Sequence, residues 1–331
     1  MISPAWTPTS LSMQHFHSLE ELKRVTLSYP AIDNAWVTIG SFDGVHRGHQ
    51  AILKLMVKKA HAAAGFAVVV TFYPHPIVVL RGATESIYLN SPEERAHLLG
   101  KLGIDIVLTL PFDPSLAQQT AEEFMHNLSA AIGIRQLWVG DDFALGRNRQ
   151  GNVNELHRIG DQLGYKLHIV NKVTDGNKGE RISSSRIREI LRAGKAAEAA
   201  RLLGYPYSVE GPVIHGDGRG RGLGFPTLNV GYWPGKIVPL LGVYATWTWV
   251  GERRLPSVTS VGVRPTFDNP PAAPRVEAFL IDHDQDLYGQ EVRVEFLEFL
   301  RPELRFDSVQ DLIDQMIIDT QNAREVLAHA S

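Results

Sequence analysis

The stretch VTIGSFDGVHRGHQ, residues 37–50, constrains the chain more than any other. An apolar run over residues 35–39 stops at Gly40. A short turn then carries Asp43, Gly44, His46 and Gly48, and His49 opens a helical pattern. Strand, glycine turn and helix start make an anion site, because free backbone N–H groups and the positive end of the helix dipole face one place. Gly40 and Gly44 allow backbone conformations that a Cβ obstructs, and Gly48 lets a ligand come close to the helix start. His46 and His49, three positions apart, aim imidazole donors at the same spot, where they suit a phosphate whose charge grows during attack. No GxxxxGK[ST] occurs and the glycines do not fit GxGxxG, so neither a Walker loop nor a dinucleotide fingerprint describes the turn.

Around this turn, helix and strand patterns alternate. Residues 1–17 read as loosely docked, and 18–28 as a short helix. Residues 49–64 carry Ile52, Leu55, Met56 and Ala60 at helical spacing, with Gly65 as the stop. FAVVVTF, residues 66–72, is apolar on both faces, as parallel strands covered by helices are. Pro74 and Pro76, either side of His75, cannot continue a ladder, so the chain turns there. Residues 91–102 form a helix with Ser91 as N-cap, Pro92 at its first position and Glu94 two further on. Strands are expected at 104–110, 135–139 and 166–170, helices at 120–131 and 153–164, and a glycine-rich loop at 140–151. Alternation at a spacing of roughly 30 residues predicts an α/β fold, a doubly wound parallel sheet. RISSSRIR, residues 181–188, repeats the anion-site logic at a second helix start, with hydroxyl caps and arginines. Alone it reads as a solvated, capped helix; beside the histidine turn the phosphate reading is favoured.

Past a linker near residues 193–206 the texture changes. A helix over 195–203 breaks at Gly204-Tyr205-Pro206. Short β-type runs at 207–214, 242–250, 257–263, 275–281 and 291–299 predict a small antiparallel barrel, closed by a helix over 307–327 with Ser308 as its cap. HGDGRGRGLGFPTLN, residues 215–229, holds five glycines. Gly218, Arg219, Gly220 and Arg221 can wrap a phosphate chain with N–H groups and guanidinium forks. Thr227 and Asn229, two apart on an extended segment, point to one side as oxygen ligands suited to Mg²⁺. Glu277 interrupts an apolar β-run, which by itself describes an outward-facing solvated charge.

Composition narrows the field. A formal charge of -3 argues against a nucleic-acid coat or a polybasic membrane anchor. The absence of cysteine excludes disulfides and thiolate-held zinc. No apolar run approaches the roughly 20 residues that span a bilayer. The first residues lack the pattern of a signal peptide, so a cytoplasmic protein is expected.

H-x-G-H after a first strand, with I-S-S-S-x-I-R after the last, resembles the nucleotidylyltransferase superfamily. The extended G-S-F-D-G-V-H-R-G-H-Q, T-F-Y-P-H-P and V-G-D-D-F resemble more narrowly bacterial FAD synthetase, in which this domain is fused to riboflavin kinase. Residues 215–229 are similar to the riboflavin kinase signature G-x-G-R-G-x-x-L-G-x-P-T-A-N, with Leu228 in place of its alanine. The resemblance implies a Rossmann-like adenylyltransferase domain over 1–200 and a riboflavin kinase barrel over 201–331. It implies ATP-dependent conversion of riboflavin to FMN and of FMN to FAD, with Mg²⁺ riding on ATP. It gives His46 and His49 the α-phosphate and the leaving pyrophosphate. Gly40, Phe42, Gly48, Arg181, Ser184 and Arg188 fall to ATP in the first domain. Pro74, His75, Pro76, Asp142 and Phe143 border the flavin there, and Arg324 touches it in the barrel. Glu277 becomes the kinase base, with Thr227 and Asn229 holding the metal. Leu145 departs from the family's F-x-F-G. Two other readings stay open at this level: a flavin-binding regulator without turnover, and a nucleotidylyltransferase with another phosphate acceptor.

Overall fold

Among the described residues the strands and α-helices of the first unit are, in chain order, β1 (Gln14–Phe16), α1 (Leu19–Ser28), β2 (Ala35–Ile39), α2 (Arg47–Ala62), β3 (Phe66–Tyr73), α3 (Pro76–Arg81), α4 (Pro92–Lys101), β4 (Ile106–Pro111), α5 (Pro114–Gln118), α6 (Ala121–Ala131), β5 (Ile134–Gly140), α7 (Val153–Leu163) and β6 (Lys166–Val170). The computed structural model describes residues 13–28, 32–82, 87–170, 174, 179–216, 224–263, 274–283 and 285–329. They fall into two compact units, Met1–Glu85 with Asn90–Ile182, and Ser86–Leu89 with Ser183–Ser331.

The first unit's six strands run parallel in the order β1-β4-β3-β2-β5-β6. β3 lies inside the sheet with its first six residues buried, which is what its unbroken apolar sequence demands. From β2 the chain passes to β3 on one side and later returns to β5 on the other. Strand order therefore reverses at β2, and the crevice outside the carboxyl ends of β2 and β5 is where such sheets bind ligands.

The second unit contains α8 (Ser184–Arg192), α9 (Ala196–Leu203), β7 (Tyr207–Ile214), β8 (Thr227–Val230), β9 (Gly242–Val250), β10 (Arg253–Gly262), β11 (Arg275–Leu280), β12 (Glu291–Arg301) and α10 (Val309–His329). Its strands close an antiparallel barrel in the order β10-β11-β8-β7-β12-β9. The inward row holds hydroxyls as well as apolar side chains. Thr246, Thr248, Ser257 and Thr259 are wholly buried and hydrogen-bond to one another at 2.7–2.8 Å. Each hydroxyl finds a partner, so the polar layer sits in the core without orphaned groups. The terminal helix is tied to the barrel by Arg301, whose guanidinium forks onto the buried Asp319 at 2.7–3.0 Å.

Several boundaries move relative to the sequence. Residues 14–16, expected to be loose, form an edge strand on β4 with Phe16 buried; three residues are too few to show a period. α3 and α5 are too short to read for the same reason. β10 starts at Arg253 rather than at residue 257. The left-handed residue after α2 is Ala64, φ 51°, not Gly65. Gly65 is needed for space, because a Cβ there would sit 2.6 Å from the Asn34 carbonyl oxygen. No helix among the described residues is long and apolar enough to cross a membrane.

Candidate active sites

The histidine turn begins where β2 ends. α2 starts two residues earlier than its apolar spacing indicates, because His46 is its N-cap. The His46 Nδ1 accepts the His49 backbone N–H at 3.3 Å, a task usually given to Ser, Asp or Asn. With Nδ1 held as an acceptor, a neutral His46 carries its proton on Nε2. The two rings stack with centroids 3.7 Å apart and planes 15° from parallel, and Phe42 meets His49 edge-on at 5.1 Å. A Cβ on Gly48 would press the His46 ring at 3.1 Å, so glycine keeps the stack in place.

Both rings are held neutral. Burial pushes His46 down to about 4, and the Arg181 guanidinium adds to the effect. Burial holds His49 well below the usual range, helped by His46, Arg181 and Arg95. The His49 Nδ1 is buried and has no hydrogen-bond partner among the described residues, so a polar group brought to this turn would satisfy it. Backbone strain collects beside it: Phe42 and Val45 have φ of 46° and 32°. Such residues cost about 1–3 kcal/mol each and persist only where the surroundings fix them. Here the Gln50 side chain donates to the Val45 carbonyl at 2.8 Å, and the Asn90 N–H donates to the buried Asp43 carboxylate at 3.3 Å.

A stability prediction follows from His46. Its folded-state pKa, about 4, lies below the ordinary 6.5, so between these values the unfolded chain binds more protons. Its contribution is complete above pH 6.5 and falls away as the pH drops toward 4. The loss reaches about 3 kcal/mol at the acid end of that window. Denaturant titrations of the ligand-free protein at pH 7.5 and pH 5 should show it. His46→Asn keeps a capping acceptor and removes the titrating ring, so the pH slope should flatten in that variant.

Next to this turn a cavity of about 580 Å³ opens at the carboxyl ends of the strands. Gly40 and Ser41 of the turn line it, as do Phe72, Phe112 and Phe143. His75, Pro76 and Asp142 line it too, whereas Pro74, joined to Tyr73 by a cis peptide, does not. His75 caps α3 by accepting the Ile77 N–H at 3.1 Å. The glycine-rich loop is built rather than slack: Leu145 and Gly151 exchange backbone hydrogen bonds at 3.1 and 3.0 Å. Leu145, the departure from the family pattern, faces the cavity. Arg181 is exposed and reaches the Asp142 carboxylate at 3.3 Å. Ser184 and Arg188 belong to α8 in the second unit, where Ser183 is the N-cap and the Arg188 Nε donates to the Ile87 carbonyl.

In the barrel, register brings the predicted residues together. Glu277 of β11 lies directly opposite Asn229 of β8, and Phe279 opposite Thr227. Across the other edge of β11, Ser260 of β10 also lies opposite Glu277. Asn229, Glu277 and Ser260 thus form one row over three strands. Ser260, Glu277 and Thr227 line a cavity of about 280 Å³, with Phe225, Leu312 and Met316 among its apolar walls. Sequence reading missed Ser260, since only strand register places it beside Glu277. Among the described residues the Glu277 carboxylate makes no hydrogen bond or ion pair. Arg324 is exposed on α10, its Nη2 donates to both Asp282 carboxylate oxygens at 2.7–2.8 Å, and it is not part of the cavity wall. Gly218, Arg219, Gly220 and Arg221 lie outside the described residues.

Gly216 packs against the Asn229 side chain so closely that a Cβ would stand 2.1 Å from its Nδ2. Gly216→Ala must therefore displace the amide, and the rate of phosphate transfer to riboflavin should fall at least about tenfold. FMN added from outside should still be converted to FAD at the unaltered rate.

Residues 30–186 match the FAD synthetase family, and residues 203–327 match the riboflavin kinase family. The chain is 35% identical to the bifunctional riboflavin kinase/FMN adenylyltransferase of Listeria monocytogenes, over 93% of this chain and 99% of that protein. It is 35% identical to the protein of the same description from Escherichia coli, over 90% of this chain and 95% of the relative. A crystal structure described as a macrolide-efflux protein from Streptococcus pneumoniae has the same fold, with a TM-score of 0.82 and 30% identity over 95% of this chain and 99% of that one. The chain belongs to the bifunctional riboflavin kinase/FMN adenylyltransferase family.

Proposed function

We propose that the two activities of this family are carried by two separately built sites. In the second unit riboflavin is phosphorylated by ATP to FMN; in the first, FMN is adenylylated to FAD with release of pyrophosphate. The observation that carries the reading is the histidine stack, with a buried orphan nitrogen, sharing its turn with a cavity of about 580 Å³ walled by four phenylalanines, Phe72, Phe112, Phe124 and Phe143. That volume suits a flat aromatic ligand.

In the first site the FMN phosphate attacks the α-phosphorus of ATP, and the bond to the pyrophosphate oxygen breaks. No base is required, because a phosphomonoester is largely ionised near pH 7, with its second pKa at about 6. His46 and His49 donate N–H groups to the α-phosphate and the leaving group, and Gly40, Phe42 and Gly48 shape the cradle. Arg181, Ser184 and Arg188 are assigned to the triphosphate. His75, Pro76, Asp142 and Phe143 border the flavin, with Pro74 behind them. In the second site the ribityl 5′-hydroxyl attacks the γ-phosphorus, the bond to the β-phosphate oxygen breaks to release ADP, and the hydroxyl proton passes to Glu277. Gly218, Arg219, Gly220 and Arg221 are assigned to the nucleotide's phosphates, and Arg324 to the flavin edge.

The hydroxyl of Thr227 and the amide oxygen of Asn229, with one carboxylate beside them, are hard oxygen donors of the kind Mg²⁺ accepts. Thr227 and Asn229 would hold the ion, which when bound offsets the negative charge of the ATP phosphates. We assign adenylyl transfer to residues 1–200, phosphorylation to residues 201–331, and the enzyme to the cytoplasm. Incubation with riboflavin and Mg-ATP should yield FMN first and then FAD with pyrophosphate. Binding of flavin with no ATP-dependent product would sink the reading.

A further inference from the structure

Arg95 is wholly buried on α4, in the first unit, and no step above uses it. A buried guanidinium is held only where hydrogen bonds replace its water. Its Nη1 donates to the Ser41 carbonyl at 2.7 Å and its Nη2 to the Phe72 carbonyl at 3.4 Å. These two acceptors have a particular location. The ladder between β2 and β3 ends with Ile39 opposite Val70 and the Gly40 N–H on the Val70 carbonyl. Beyond that point the strands part, and Gly40, Ser41 and Phe72 become wall of the cavity. Carbonyls at parting strand ends need donors from elsewhere. The guanidinium fork supplies them, helped by the Thr71 hydroxyl, which donates to the Ser41 carbonyl at 3.1 Å. Ser41 immediately precedes the strained Phe42, four residues before the cap His46. The charge of Arg95 also reaches His49.

We propose that Arg95 is a positioning residue for adenylyl transfer: by bridging the Ser41 and Phe72 carbonyls it fixes the histidine turn against the flavin cavity wall. The inference rests on the reading of this site as the FMN adenylyltransferase. Its effect belongs to the transition state more than to binding, because the fork sets the angle of the turn and does not enter the cavity lining. Lysine keeps the charge but offers no planar fork, so it serves both carbonyls poorly.

The test compares Arg95→Met and Arg95→Lys in the full-length protein, with both reactions measured in each variant. Phosphorylation of riboflavin is the internal control and should stay at the wild-type rate. For FAD formation, Arg95→Met should lower kcat about 100-fold or more, with KM for FMN and ATP within about threefold. Arg95→Lys should fall between, about tenfold below wild type. A kcat within about threefold of wild type, a loss confined to KM, or a loss that only tracks the unfolded fraction in a thermal melt would each overturn the proposal. If Arg95→Met does not fold, Arg95→Lys decides by the same split of kcat from KM. Failure of the wild-type protein to make FAD from FMN would instead overturn the reading of the site itself.

Discussion

His49→Ala should all but remove FAD formation from FMN and Mg-ATP, while FMN still forms from riboflavin at the wild-type rate. The expected loss in kcat is about 100-fold to 1000-fold, the effect of removing one donor from a site that stabilises developing oxyanion charge. The geometry gives the reason. The ring is stacked on His46 at 3.7 Å and flanked by Phe42, so its orientation is set by the fold. Alanine is a good helix former, and the backbone N–H that His46 caps survives the change, so α2 should persist. Chromatographic separation of riboflavin, FMN and FAD over time reads both reactions in one sample. Loss of both activities from a folded protein would show that the two sites are not independent.

The converse experiment is Glu277→Gln. FMN formation should fall about 100-fold to 10,000-fold, as expected when a general base is removed. FMN supplied from outside should be adenylylated as fast as by the wild type. Among the described residues the Glu277 carboxylate has neither hydrogen bond nor ion pair, so the substitution orphans no partner and thermal stability should be unchanged. An unaltered rate of riboflavin phosphorylation would remove Glu277 from the reaction and leave its neighbours in the row, Asn229 and Ser260, to be tried.

Legibility in the sequence differed between the two sites. The parallel sheet could be read because β3 is apolar on both faces and the α4 start spells out its capping box, with Ser91, Pro92 and Glu94 in place. The histidine pair could be read because strand, glycine turn and helix start are contiguous in the chain. The cap on α2 could not, since histidine is an unusual N-cap and apolar spacing alone begins the helix at His49. Ser260 and Arg95 were invisible for another reason. One is placed by cross-strand register and the other by packing of α4 on the sheet, and neither leaves a local motif. The buried hydroxyls of the barrel break the expectation that inward strand positions are apolar; they are tolerated because each hydrogen-bonds to another.

The capping bond from His49 N–H to His46 Nδ1 bears on the stereochemistry at phosphorus. The lone pair that would make His46 a nucleophile is engaged by the helix it starts. A nucleotidyl-histidine formed at Nδ1 would have to break the first turn of α2. On the proposed reading the FMN phosphate is the attacking group. The α-phosphorus is then displaced once, and a chiral thiophosphate analogue of ATP should give FAD of inverted configuration.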